Sequence, residues 1–232
     1  MIVRSKQPAA SDRTGRKGMR VPGNLHKDYQ ALVRRIGACG DGASRAARAI
    51  AVTSGSRRAG ASTVAANLAV AEAQAWPDPT LLIDANLERP SLARRFRVQR
   101  SPGLREALGG ETDPAECLQS SPLSNLRLMT AGVAKGRAEG GDHLSALEGL
   151  LRVFKRDFRT VFVDLPPVAE NGAWCPLIGA LDGVILVIEA ERTDGRSALY
   201  AKQRLLESNA NILGVVFNKR RMHIPGWLYR IL

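Results

Sequence analysis

Apolar positions along the chain fall into two alternating kinds of run. The short continuous ones are Ile50 to Val52, Thr80 to Asp84, Leu126 to Met129, Phe158 to Pro167, Leu181 to Glu189 and Ile212 to Phe217. Most have the length and composition of strands covered on both faces. Between them lie stretches with helical spacing. Asn24 to Gly37 repeats through Leu25, Tyr29, Leu32, Val33 and Ile36, with Gly37 as a stop. Thr63 to Ala75 is alanine-rich and apolar over much of its surface, as a helix packed on a sheet would be, and Pro77 and Pro79 end it. Leu144 to Phe154 is amphipathic through Leu144, Leu147, Leu151 and Phe154, and a further helix is expected from about Thr193 to Asn209. Strands that alternate with helices predict an α/β fold: a doubly wound, mainly parallel sheet with helices on both faces.

Four segments follow. Residues 1–23 have no apolar periodicity; Arg4, Lys6, Arg13, Arg16, Lys17 and Arg20 are opposed by Asp12 alone, so a disordered basic arm is expected. Residues 24–44 are the first helix and a small-residue linker, Cys39 to Ser44. Residues 45–218 carry the alternating pattern. Residues 219–232, KRRMHIPGWLYRIL, turn from basic to apolar, which suits either a helix docked on the sheet or a segment resting on an anionic membrane.

Charge narrows the partners. The 232 residues carry a formal +12, which points to an anionic partner: nucleotide, nucleic acid or membrane surface. Most of the excess sits in the two ends, which leaves the centre close to neutral and makes a nucleic-acid groove across the fold an unlikely use of the charge. Cys39, Cys117 and Cys175 are far apart and odd in number, as in a reducing compartment. No apolar run approaches the roughly 18 to 20 residues that span a bilayer, and charges stand where a signal peptide needs its apolar region. A cytoplasmic chain that meets a membrane peripherally is the expectation.

The candidate chemistry centres on Ala49 to Ala66, AIAVTSGSRRAGASTVAA, which runs from a strand through small and basic residues into a helix. That is the layout of a phosphate loop, G-x-x-x-x-G-K-[ST], whose backbone N–H groups surround phosphate oxygens while a lysine reaches the outer phosphates and a hydroxyl holds magnesium. Gly55, Gly60, Ser62 and Thr63 fit; the lysine position holds Ala61. An ordinary strand-to-helix loop with Ser62 or Thr63 as N-cap fits the same residues. Asp84 and Asp164 each end a strand, where open α/β sheets place their ligands.

The segment from Asp84, with Asn86, Arg89, Pro90, Ser91, Leu92, Phe96, Pro102, Gly103, Leu104 and Leu108, resembles the bacterial tyrosine kinases (BY-kinases) of capsule and exopolysaccharide assembly, whose second acidic motif typically reads L-L-I-D-A-D-L-R-R-P-S-L. Asp164 followed by the Pro166–Pro167 pair is similar to their third motif. The resemblance spans roughly residues 25 to 218. It implies a P-loop NTPase-like fold within the MinD/ParA-like superfamily, with ATP and Mg²⁺ as ligands. Asp84 and Asp164 would be catalytic; Ser62, Asp84 and Asp164 would organise the metal; and Asn218 would meet the adenine edge, although an Asn after a strand is also a turn former. The implied partner is a membrane chain-length regulator, or polysaccharide co-polymerase.

Departures from the pattern shape the functional expectation. The family's loop usually reads T-S-x-x-P-G-E-G-K-S-T, whereas this chain has TSGSRRAGAST, with Arg57 and Arg58 as candidates to supply the missing charge. Asn86 replaces the family's second aspartate. Lys27, Gln30 and Val33 stand where active kinases carry the Glu-x-x-Arg-x-x-Arg of their assembly helix, and one tyrosine, Tyr229, stands in place of a C-terminal cluster. A nucleotide-binding regulator with weak or lost catalysis is expected, against an active autokinase or, less favoured, a MinD/ParA-like positioning ATPase.

Overall fold

A computed structural model of the chain describes residues 23–38, 47–133, 141–168 and 174–219. The basic arm, the Cys39 to Ser44 linker and the tail beyond Lys219 lie outside the described residues. Seven strands form one sheet in the order β3-β4-β2-β5-β1-β6-β7. They are β1 Arg48–Ser54, β2 Thr80–Asp84, β3 Leu118–Ser120, β4 Leu126–Met129, β5 Thr160–Asp164, β6 Gly183–Glu189 and β7 Ile212–Asn218. All neighbours run parallel except the short β3, which pairs antiparallel with β4 at the edge. The helices are α1 Gly23–Ala38, α2 Ala61–Ala75, α3 Leu92–Phe96, α4 Leu104–Leu108, α5 Gly141–Asp157, α6 Cys175–Ala180 and α7 Gly195–Glu207.

Strand alternation divides the core in two. Ile50, Val52, Leu82, Phe162, Ile185 and Val187 point to the face covered by α1 and α2. Ala49, Ala51, Leu81, Ile83, Val161, Val163, Val184 and Leu186 point to the face of α5, α6 and α7. Successive strand residues face opposite ways, so burial of every β2 and β5 residue requires helices on both sides. This is the doubly wound arrangement expected from the pattern.

The α2 helix is alanine-rich because it is enclosed by the sheet beneath and α1 above. The α1 helix contributes Tyr29, Leu32, Val33 and Ile36 to that layer, all buried, and each large apolar side chain removed from water there is worth about 1.5–3 kcal/mol. The two layers are also tied by polar groups. Arg48 at the start of β1 donates Nη1 to the Ile36 carbonyl (2.9 Å) near the end of α1 and Nη2 to Glu72 of α2 (3.2 Å); Glu72 in turn accepts from Thr160 of β5 (2.8 Å).

Local chemistry shifts several boundaries. The strand before the proline pair ends at Asp164, as expected, since two consecutive prolines offer no N–H to a ladder. The departing chain stays hooked to β1 through Leu165 N–H to Val52 O (3.0 Å), Val168 N–H to Ser54 O (3.0 Å) and the Thr53 hydroxyl to Pro166 O (2.7 Å). The second helix begins at Ala61, two residues before the expected Thr63. The short elements β3, α3, α4 and α6 are additional to the expected ones.

Candidate phosphate-binding site

Parallel strands in this order bring the carboxyl ends of β1, β2 and β5 side by side, and the functional side chains lie on or just after them. The loop from β1 ends in Gly60, at φ 98°, which is the N-cap of α2; no side chain caps that helix. Ser62 and Thr63 are therefore not N-caps, which removes support from the plain strand-to-helix reading and leaves the positive end of a 15-residue helix facing the cleft. Arg58, at the position where the family pattern has glycine, takes the left-handed conformation itself, φ 63°. The loop keeps a glycine-like backbone without the glycine.

Two further residues from the sequence reading have other tasks here. Gly55 sends its N–H to Val187 O (3.4 Å), and a Cβ there would meet Ala201 of α7 at 3.1 Å; it is a packing glycine behind the loop and not part of the cleft lining. Asn218 is buried and donates its amide to Ala59 O (2.7 Å), while a Cβ on Gly60 would lie 2.1 Å from its Nδ2. The end of β7 thus latches the phosphate loop, and the Asn218 amide is engaged there.

Opposite the loop, Asp84 and Asp164 are register partners on β2 and β5, and both are fully buried. Asp84 Oδ2 accepts the N–H groups of Ser91 and Leu92 at 2.9 Å each, so it holds the start of α3. Its Oδ1 and both oxygens of Asp164 have no hydrogen-bond partner. Burial raises the pKa of both carboxyls. For Asp84, the backbone N–H groups around it and Arg95 oppose the rise; Asp164 goes well above the usual range, pushed further by the Asp84 charge, with the Ser62 hydroxyl and Arg95 pulling the other way.

The loop borders a cleft of about 390 Å³ lined by Ser54, Arg57, Arg58, Gly60 to Thr63, Asn86, Glu88, Arg89, Ser91, Arg95, Leu165 to Pro167 and Lys219; Asp84 and Asp164 are fully buried outside that lining, close in the chain to Asn86 and Leu165. That volume suits a small ligand. Three buried carboxylate oxygens without partners, beside a hydroxyl and a helix N-terminus, fit a hard divalent cation whose remaining ligands are phosphate and water. Ser62, Asp84 and Asp164 are the residues that would hold it. Among the described residues, no group of three His, Cys, Asp or Glu side chains offers a separate metal site.

Comparison with known proteins agrees with this geometry. No family model matches the chain. It is 28% identical over 178 residues to the tyrosine-protein kinase YwqD of Bacillus subtilis, covering 77% of this chain and 75% of that one. It is 32% identical over 187 residues to the succinoglycan biosynthesis transport protein ExoP of Rhizobium meliloti, covering 77% of this chain but 23% of ExoP. The kinase domain of the Escherichia coli tyrosine kinase ETK superposes with a TM-score of 0.76 at 20% identity, over 93% of this chain and 88% of that one. The chain is a homologue of the bacterial tyrosine kinases. The wider P-loop NTPase-like fold is shared too: the cell division ATPase MinD of Pyrococcus furiosus matches with a TM-score of 0.63 at 22% identity, over 79% and 78% of the two chains.

Against the tyrosine-kinase pattern, the loss at Ala61 becomes concrete. Ala61 is buried at the first turn of α2 and lines the cleft, so the loop's usual ammonium has no counterpart at that position. Arg57 and Arg58 are exposed at the rim. Two cations that the sequence reading did not assign to the cleft also reach it, Arg95 and Lys219. Only the start of α3, fixed by Asp84, tells Arg95 apart from its neighbour Arg94, which is exposed.

Proposed function

We propose that the chain is a nucleotide-binding regulator of capsule or exopolysaccharide assembly in which phosphoryl transfer is weak or lost. One observation carries the reading: a phosphate-loop backbone surrounds a buried alanine where the loop's lysine belongs, with a buried carboxylate pair at the ends of β2 and β5. Helix α2 and the loop N–H groups would receive the phosphates, and Ser62, Asp84 and Asp164 would hold Mg²⁺, which supplies charge neutralisation across the phosphates. Phosphoryl transfer depends on positioning and electrostatics, so removing one fixed cation costs rate more than it costs fold.

The names of the relatives, tyrosine kinases and a succinoglycan transport protein, support a membrane chain-length regulator, or polysaccharide co-polymerase, as the partner. Among the described residues no helix is long and apolar enough to cross a membrane. Recruitment to the inner face of the membrane would fall to the partner and to the basic ends of the chain. A MinD/ParA-like positioning role is less favoured, because the Arg89 to Leu92 run is the kinase-type signature and the centre of the chain is near neutral.

Calorimetric titration with ATP and Mg²⁺, followed by an anti-phosphotyrosine blot, tests the proposal. The expected result is Mg²⁺-dependent binding with little or no phosphotyrosine. Robust Mg²⁺-dependent tyrosine phosphorylation would establish the active autokinase instead, and no binding at millimolar ATP would remove the nucleotide from the function.

A further inference from the structure

The phosphate loop lacks its lysine, yet the cleft is not short of cations. Arg57, Arg58, Arg89, Arg95 and Lys219 all line it. Their situations differ. Arg57, Arg58 and Arg89 are exposed, so water screens them. Lys219 Nζ is engaged by the Arg58 carbonyl at 2.5 Å and by Glu189 at 3.2 Å. Arg95 is half-buried, its Nε donates to Ser91 Oγ at 3.2 Å, and its two terminal nitrogens have no hydrogen bond or ion pair among the described residues.

Helical side chains lean toward the N-terminus of their helix. The Ser91 contact lies one turn back from Arg95, at the point where Asp84 receives the Ser91 and Leu92 N–H groups, so it holds the guanidinium on the side of the cleft nearest Asp84. The charge of Arg95 bears on both Asp84 and Asp164, and among the described residues it forms no ion pair with either. A half-buried guanidinium in the cleft lining and three unpartnered carboxylate oxygens buried outside that lining therefore lie near each other without pairing. The carboxylates suit a cation. The guanidinium suits the anion that comes with it, because its planar fork meets phosphate oxygens two at a time and stays charged at any working pH.

We propose that Arg95 is the phosphate-anchoring residue of this site, taking from α3 the task that Ala61 cannot perform from α2. The proposal rests on the nucleotide reading above and adds to it the source of the charge. It places the side-chain charge on α3, so phosphates received by the loop N–H groups and the start of α2 would also meet the Arg95 guanidinium.

The test is equilibrium binding of ATP, ADP and adenosine, each with Mg²⁺, to the full chain and four variants. Arg95→Met should weaken ATP and ADP at least tenfold and leave adenosine unchanged, and Ser91→Ala, which unhooks Nε, should weaken ATP about threefold. Arg94→Met, one residue along and exposed, should stay within twofold. The combination Ala61→Lys with Arg95→Met should recover affinity, because the lysine restores the charge from the other side; recovery also shows that Arg95→Met is folded. Equal ATP affinity in wild type and Arg95→Met overturns the proposal while leaving the nucleotide reading intact. Weakening of adenosine to the same degree as ATP also overturns it, since a phosphate anchor cannot act on a ligand without phosphate. Wild type that binds none of the three overturns both readings.

Discussion

The two banks of the cleft have kept different things. On the β1 to α2 side the backbone survives: Gly60 and Arg58 hold positive φ, Asn218 latches Ala59, and a 15-residue helix begins without a side-chain cap. What that bank lacks is a side chain, the cation of residue 61. On the β2 to β5 side the carboxyls survive: Asp84 and Asp164 stay buried in register with three oxygens unpartnered. A backbone cradle is a property of the fold and is maintained by packing. A buried carboxylate pair opposes the fold, because burying charge without partners costs free energy. Its presence argues that the acidic bank is kept for a ligand, and the contrast separates binding from turnover as properties with different supports.

The comparison can be broken first by restoring the missing charge. Ala61→Lys with Asn86→Asp should raise nucleotide affinity or turnover about 10²- to 10³-fold, the usual scale for one preorganised electrostatic contact. Radiolabelled ATP hydrolysis and autophosphorylation read this directly, and no change in either would mean that the cleft is compromised beyond its cation. Next in size is Asp164→Asn. Loss of Mg²⁺-dependent binding should accompany a gain of about 1–3 kcal/mol in the unliganded chain, since the variant no longer buries an unpaired charge. Urea unfolding with and without Mg²⁺ measures both effects, and a destabilised variant would contradict the reading of that bank.

Acidity sharpens the same point. In the folded chain Asp164 holds its proton to a higher pH than in the unfolded chain. Between the ordinary aspartate value and that raised one the native state binds more protons, so stability falls as pH rises through the interval, and the fall ends once the folded carboxyl has ionised. The urea midpoint of wild type should therefore decline more steeply with pH than that of Asp164→Asn. Parallel curves would show that the pair is already ionised in the folded chain at low pH.

Effects on stability alone belong to the loop backbone. Gly60→Ala should cost about 1–3 kcal/mol, because the new methyl meets the Asn218 amide and the φ of 98° disfavours any side chain. Arg58→Gly should gain about 1 kcal/mol by relieving the left-handed residue. Thermal unfolding of both variants decides whether the latch or the loop's own sequence sets its shape.

Much of the architecture was legible in the residues. Continuous apolar runs such as Thr80 to Asp84 encode strands buried on both faces, and Asp84 and Asp164 could be placed because carboxyl ends of parallel strands meet. The ties next to prolines were less legible, since Pro166 and Pro167 end a ladder while side chains such as Thr53 keep the segment attached. Asn218 and Gly55 show a different limit. Their identity suits ligand contact or packing equally, and only the three-dimensional neighbours, Ala59, Gly60 and Ala201, separate the two. Arg95 was hidden for the same reason: in a chain with 34 basic residues, no local pattern distinguishes one arginine that faces a cleft from another that faces water.

The latch at the end of β7 also has a consequence for timing. Asn218 holds Ala59, Lys219 holds the Arg58 carbonyl and Glu189, and Ala190 N–H bonds back to Asn218 O (2.9 Å), so the loop cannot lift without parting from the last described residues of the chain. Opening of the loop and release of the β7 end should then occur as one cooperative event, with loop amides and Lys219 exchanging hydrogen at a common rate. A pull on the chain just beyond Lys219 would arrive at the phosphate loop across two side chains, which makes that strand end a mechanical lever on the loop.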